Sequence, residues 1–386
     1  MQSIIAECLP ISLNTPKPSL CIPMNKRDFC RRITLGSAAL ATVSAVTAPG
    51  LTRTALASES VASRSGTGFR DDAGRSIPLT GRYKRILAAG GPAAVFAYAV
   101  SPTGLVGWPR ALREEEKPFL HPSVRELPGT GLLTGRGGEV NLEVVLKNKP
   151  DLILDIGSTA PVYVDLANRL ERQTGIPTAL LSGRFEDSAH TLQKLGVLLG
   201  QERRASELAT YTTKLLEDAK VFSQSIGIQE RPLVYLARGA DGLETATPGS
   251  INAEIIERAG GMNVLNALGP APRSIVRVSM ETIYRLNPEV IITWDKAFYQ
   301  QIFQSPRWQS ISAVVTKRVY LAPLLPFGWI DRPPSINRLI GIPWLQAKLF
   351  PGRSRGDLHD ETGKFFRLFY GVELTSKQLD ELLGPA

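Results

Sequence analysis

The feature that most constrains this chain is an unbroken amphipathic stretch from Gln201 to Ile226. Its apolar residues are Ala205, Leu208, Tyr211, Leu215, Ala219, Phe222 and Ile226, every step being three or four residues. That spacing lays them along one face of an α-helix. Neither Gly nor Pro interrupts it. Roughly 26 residues at helical rise make a rod about 39 Å long, longer than a small domain is wide. Such a rod serves as a stiff spine between two bodies.

On both sides of this stretch, strand and helix patterns alternate. Arg85 to Ala89 reads as a short buried strand ending in Gly90-Gly91, and 92–100 as a helix with Pro92 in its first turn. Leu105 to Trp108 reads as a strand, Leu142 to Asn148 as a helix, Leu152 to Leu154 as a strand. Val162 to Thr174 is a predicted helix and Thr178 to Leu181 a predicted strand. After Pro232 the alternation restarts with a strand from Leu233 to Ala237. Such alternation predicts parallel α/β sheets. The second half also repeats a piece of the first. Leu142-Glu143 is followed by Pro150-Asp151-Leu152-Ile153, and Met280-Glu281 by Pro288-Glu289-Val290-Ile291, each glutamate lying seven residues before its proline. Both copies read as an acidic first helical turn, a helix, a proline break and a buried strand.

The N-terminal region reads as an export address. Residues 24–57 begin with Lys26-Arg27 and Arg31-Arg32, continue through a weakly apolar stretch from Ile33 to Ala48, and close on Ala55-Leu56-Ala57. This order fits a cleavable signal cut near Ala57, and the paired basic residues and low hydrophobicity are twin-arginine-like; general secretion is the alternative route. Met1 and Met24 are both candidate starts. The only cysteines, Cys8, Cys21 and Cys30, precede that cut, so the processed chain has no thiol for catalysis, zinc or disulfides. The formal charge of +9 is uneven: 1–57 carry six Lys/Arg against two acids, leaving +5 on the remainder. That weak excess, without a basic run, argues against nucleic acid as a partner.

Two α/β units, a long helix and the repeated element together resemble the periplasmic binding proteins of iron-siderophore and cobalamin ABC importers, from about residue 80 onward. Gly249-Ser250, the run Glu257 to Gly261, the ending Tyr370 to Thr375, and Gly328-Trp329-Ile330-Asp331-Arg332-Pro333-Pro334-Ser335 carry the likeness further. The implied fold is α/β, two Rossmann-like lobes joined by one long rigid helix with the ligand cleft between them. The expected boundaries are 1–57 for the signal and upstream extension, 58–80 for a flexible lead-in, 81–200 for the N-terminal lobe, 201–227 for the connecting helix and 228–386 for the C-terminal lobe. The implied role is capture of a chelated, siderophore-type iron ligand in the periplasm and delivery to an ABC permease with its ATPase, as a monomer peripheral to the membrane. Cobalamin, haem and nickel or cobalt chelates are the alternative ligands.

In that family one glutamate per lobe docks on permease arginines, and the matching positions are Glu143 and Glu281. A carboxylate in a first helical turn also favours the helix dipole. The cleft of such folds lies at the C-terminal ends of the strands. Arginines there suit anionic chelates, through forked bonds to carboxylate or phenolate oxygens, and aromatics suit flat ligand faces. The candidates are Arg110, Arg136, Arg238 and Arg332 with Tyr163, Trp294 and Trp329. The three histidines, His121, His190 and His359, are scattered without a ligand pattern, so a carried metal complex is expected over a bare ion, and no resident cofactor. No nucleophile elbow, P-loop, zinc-protease or dinucleotide motif occurs, so an enzyme is not expected; a distant carboxylate pair is the one catalytic arrangement still open.

Overall fold

The computed structural model describes residues 68–79, 81–134, 142–272, 274–353 and 356–383. The export signal and the Gly-rich stretch holding Arg136 lie outside these. The described chain opens on a hairpin, β1 (Phe69–Arg70) against β2 (Ser76–Ile77). Over these residues the expected loose lead-in is instead paired structure, and Asp71 is the physical reason. Its buried carboxylate accepts from Ala73 N at 3.0 Å and Arg75 N at 2.8 Å inside the turn, and from Leu180 N at 3.1 Å in the neighbouring sheet.

The N-terminal lobe follows the predicted alternation: β3 (Ile86–Ala88), α1 (Gly91–Val100), α2 (Leu142–Lys147), β4 (Leu152–Gly157), α3 (Pro161–Thr174), β5 (Thr178–Ser182) and α4 (Ser188–Leu199). The sheet is parallel in the order β3-β4-β5, with Ile86 opposite Leu152 and Ile153 opposite Thr178. Its strands are covered on both faces, which is why they read as apolar runs without alternation. The strand expected at Leu105–Trp108 reduces to two single bridges, Leu105 to Ile86 and Trp108 to Gly129. Pro109 has no N–H to extend a ladder, and Gly107 lies so close to Pro128 that a Cβ would sit 2.7 Å from its carbonyl oxygen.

The connecting helix, α5 (Glu202–Ser225), buries Ala205, Leu208, Ala209, Thr212 and Ala219. It crosses α4 closely where Gly196 meets Ala205, since a Cβ on Gly196 would come within 2.5 Å of the Ala205 methyl. Beyond it the second lobe runs β6 (Leu233–Ala237), β7 (Glu244–Ala246), α6 (Glu254–Arg258), β8 (Met262–Asn263), β9 (Ile275–Arg277), α7 (Met280–Leu286), β10 (Val290–Thr293), α8 (Lys296–Ile302), α9 (Ser312–Val315), β11 (Val319–Leu321), α10 (Arg338–Leu349), α11 (Leu358–Phe365) and α12 (Ser376–Leu383). Its main sheet is parallel, β11-β10-β6-β8, while β7 and β9 form a separate antiparallel pair.

The repeated element has one physical job in both lobes. After Pro150, the Asp151 carboxylate accepts from Lys84 N and Arg85 N, both at 2.8 Å, at the entry to β3. After Pro288, the Glu289 carboxylate accepts from Leu233 N at 2.8 Å, at the entry to β6. In each copy the acid after the proline clamps the start of the adjacent strand, satisfying backbone donors that precede the ladder.

The lobes are also stitched directly. Arg338, 1% exposed, donates to Gly183 O of the first lobe at 2.7 Å and to Ile251 O of the second at 2.6 Å. Its guanidinium lies 4.5 Å over the Phe185 ring and 3.6 Å from Glu254 Oε1. Glu254 in turn accepts from Phe185 N at 3.2 Å, and Arg258 pairs with Glu186 at 2.8 Å. The last part of the chain leans back on the first lobe: Tyr98 donates to Tyr370 O at 2.6 Å, and Phe119 meets Phe366 edge-on.

Candidate functional site

Between the lobes lies a cavity of about 520 Å³. One wall is the start of α1 (Gly91, Ala94, Val95) and the loop from Trp108 to Glu116; the other is the loop of Leu324, Pro326, Phe327, Arg332 and Pro333. Gly90 caps α1 in an extended conformation with no side-chain cap. The walls meet at Gly91: a Cβ there would sit 3.0 Å from Pro333 Cβ, so any larger residue would push the two walls apart by a few tenths of an ångström. Trp108 and Phe327 close the floor, their rings 5.3 Å apart.

The charges in this cavity are arranged in two groups. In the first, Glu116 is fully buried and receives Arg110 Nη1 at 2.8 Å, Arg113 Nε at 3.0 Å, Arg113 Nη2 at 2.9 Å and Arg113 N at 2.8 Å, with a further bond from Arg110 Nη2. Burial alone would raise the Glu116 carboxyl; the Arg110 and Arg113 bonds outweigh it and hold it below the usual range. The same bond to Glu116 raises Arg110 further above its already high value. In the second group, Arg332 has φ 65°, the left-handed region a non-glycine residue rarely adopts, and its guanidinium lies 4.3 Å over the Trp294 ring. Behind it Arg238 Nε stands 2.7 Å from Asp331 Oδ2, and Arg238 Cζ lies 5.8 Å from the centre of the same indole. Asp331, 1% exposed, also accepts from Asn252 Nδ2 at 2.7 Å and Arg332 N at 2.8 Å, which fixes the loop. The residues lining the cavity include three arginines, Arg110, Arg113 and Arg332, and one acid, Glu116.

Of the residues singled out from sequence, Arg110 and Arg332 line the cavity from opposite lobes. Trp294 and Arg238 stand behind Arg332 as its support. Trp329 is instead a core residue, 0% exposed, donating to Leu325 O at 3.3 Å. Its backbone packs on α10 at Gly341, where a Cβ would come within 2.0 Å of Trp329 O, and this turns the ring away from the cleft. Tyr163 sits half-buried in the first turn of α3, apart from the cavity wall, and Arg136 lies outside the described residues. Glu143 and Glu281 are exposed in the first turns of α2 and α7, equivalent positions in the two lobes. Arg113, Glu116 and Asp331 were not singled out. Glu114-Glu115-Glu116 reads as a solvated acidic run, and its one usable signal is the flanking of that run by Arg110 and Arg113. Among the described residues no His/Cys/Asp/Glu group could hold a metal ion, and no helix is long and apolar enough to cross a membrane.

Known proteins share this architecture. The family model for periplasmic binding protein matches residues 78–324. The chain is 31% identical to an ABC transporter solute binding protein from Sulfurospirillum deleyianum DSM 6946, with a TM-score of 0.75, covering 82% of this chain and 99% of that one. It is 25% identical over 265 residues to the molybdate-binding protein MolA of Haemophilus influenzae, covering 62% of this chain and 72% of that protein. To an ABC transporter substrate-binding lipoprotein of Bacillus subtilis, YvrC, it is 26% identical over 186 residues, covering 47% of this chain and 57% of that relative. The chain thus spans little more than half the length of this last relative.

Proposed function

The chain belongs to the periplasmic binding protein family, and from that premise we propose that it captures an anionic metal chelate, of the ferric siderophore class, between its lobes and hands it to an ABC importer outside the cytoplasmic membrane. The observation that carries this reading is the cavity between the lobes, with arginines on both walls and one acidic residue among them. Arginine binds carboxylate and phenolate oxygens in a forked geometry, and a partly desolvated site strengthens those bonds. The apolar floor of Trp108 and Phe327 suits the organic part of a chelate. The name of the Haemophilus relative favours a second reading, a bare tetrahedral oxyanion such as molybdate. The cavity of about 520 Å³ favours the larger ligand, since small-molecule sites of roughly 300–1,000 Å³ hold whole organic molecules.

Delivery is assigned to Glu143 and Glu281. They stand exposed on equivalent helices of the two lobes, and a pair of carboxylates at a separation set by the lobes can register on a cationic permease surface. Uptake measured in cells tests this. Reversing both charges, Glu143→Arg with Glu281→Arg, is expected to abolish uptake while the purified variant keeps its ligand affinity. Loss of ligand binding in that double variant would assign the two glutamates a different job.

A further inference from the structure

Glu116 is the one acidic residue in the cavity wall, and its geometry is unlike that of a surface ion pair. It is fully buried, whereas the side chains of its partners Arg110 and Arg113 remain 54% and 50% exposed. Both carboxylate oxygens are used: Oε1 by Arg113 Nε and Nη2 and by Arg110 Nη2, Oε2 by Arg110 Nη1 and Arg113 N. Glu116 therefore holds one edge of each guanidinium, while Arg113 Nη1 also lies 3.2 Å from Glu115 Oε1 and Arg110 Nη1 also donates to Ala111 O at 3.1 Å. Long, flexible arginine side chains lose much rotamer freedom when they close on a ligand. Here two of them are fixed beforehand, which lowers the ordering cost of binding. The opposite wall supplies a single guanidinium, Arg332, braced on Trp294 at 4.3 Å.

We infer that Glu116 is a positioning residue that presents Arg110 and Arg113 to the ligand and leaves the cavity with a net charge of plus two, matched to ligands that carry two negative charges. This rests on the cleft being the capture site. Glu116 itself does not touch the ligand; it stands on the far side of the guanidinium groups. The two ideas about it differ in sign. If Glu116 were merely a negative charge near an anion site, removing it would tighten anion binding. As a positioning residue, its removal frees both arginines and weakens binding although the cavity becomes more positive.

Calorimetric titration of the full chain tests both parts, using three probes: molybdate, a tetrahedral dianion; perrhenate, a monoanion of the same shape; and a ferric hydroxamate complex of zero net charge. The wild type is expected to bind molybdate at least about tenfold more tightly than perrhenate. Glu116→Gln is expected to weaken molybdate about tenfold or more, and Glu116→Asp, which keeps the charge but withdraws the carboxylate, to weaken it less and to preserve the preference over perrhenate. The Asp variant carries the test if the Gln variant does not fold. Equal affinity for the two oxyanions overturns the charge assignment, and tighter molybdate binding by Glu116→Gln overturns the positioning role. Binding of the neutral complex without molybdate overturns the inference together with the anionic-chelate reading. Binding of none of the three overturns the inference and leaves the capture reading, which concerns a larger anionic chelate, standing.

Discussion

At the scale of single residues, charge is decided by what surrounds it. Arg110 and Arg332 were legible in the sequence because each follows the end of a strand-like segment or sits in a distinctive loop. Glu116 was not, since only the path of the loop through space carries it under Arg110 while its neighbours Glu114 and Glu115 stay exposed. Trp329 shows the converse, an aromatic in a cleft-like loop turned inward by a backbone contact at Gly341 that no local pattern announces. Asp155 on β4 offers a clean measurement. Burial lifts its carboxyl to about 6, against hydrogen bonds from Thr134 Oγ1 at 3.2 Å and from the Ile156 backbone. Its proton is thus held more tightly in the folded chain than in the unfolded one. The resulting stability is present below about pH 4 and lost as pH rises through 6. Asp155→Asn is expected to unfold at higher urea than the wild type at pH 7.5, by roughly 1–3 kcal/mol, with the difference shrinking toward pH 4. A pH-independent difference would mean that Asp155 is not held protonated by burial.

At the scale of elements, periodicity and proline breaks were enough for much of the fold. The spine α5 was readable because its three-and-four spacing continues over some seven turns without a breaker. The repeated helix–proline–strand unit was readable as a pattern, but its purpose, an acid that clamps the entry of the adjacent strand, appears only in the hydrogen bonds of Asp151 and Glu289. Helix α10 was not readable, because Pro343 stands inside it. There the burial of Leu339, Ile340, Ile342, Trp344 and Leu345 outweighs the lost hydrogen bond, a tertiary term invisible to local rules. This helix begins with Arg338, whose guanidinium joins the two lobes. Arg338→Met leaves Glu254 buried without its partner and is expected to cost about 3–5 kcal/mol in urea unfolding, with Glu254→Gln in the same chain restoring part of it. A single variant as stable as the wild type would show that the buried contact does not hold the lobes together.

At the scale of the whole molecule, two parallel α/β units share a spine, a buried arginine bridge and a C-terminal stretch that returns to the first lobe. These joints tie the lobes on either side of the cavity, and in the proposed reading that rigidity leaves capture needing little rearrangement. The proposed division of labour uses that rigidity: arginines of the cleft for capture, and Glu143 and Glu281 on the outside of the two lobes for delivery. The central claim, that the cleft carries an anionic metal chelate, is tested most directly by purifying the protein from its own host and weighing the small molecule it releases on denaturation. The wild type is expected to release one negatively charged metal complex at close to one per chain, and a folded Arg110→Ala, Arg332→Ala variant to release little or none. A bare metal ion, a neutral solute, or the same complex retained in full by the variant would contradict the account.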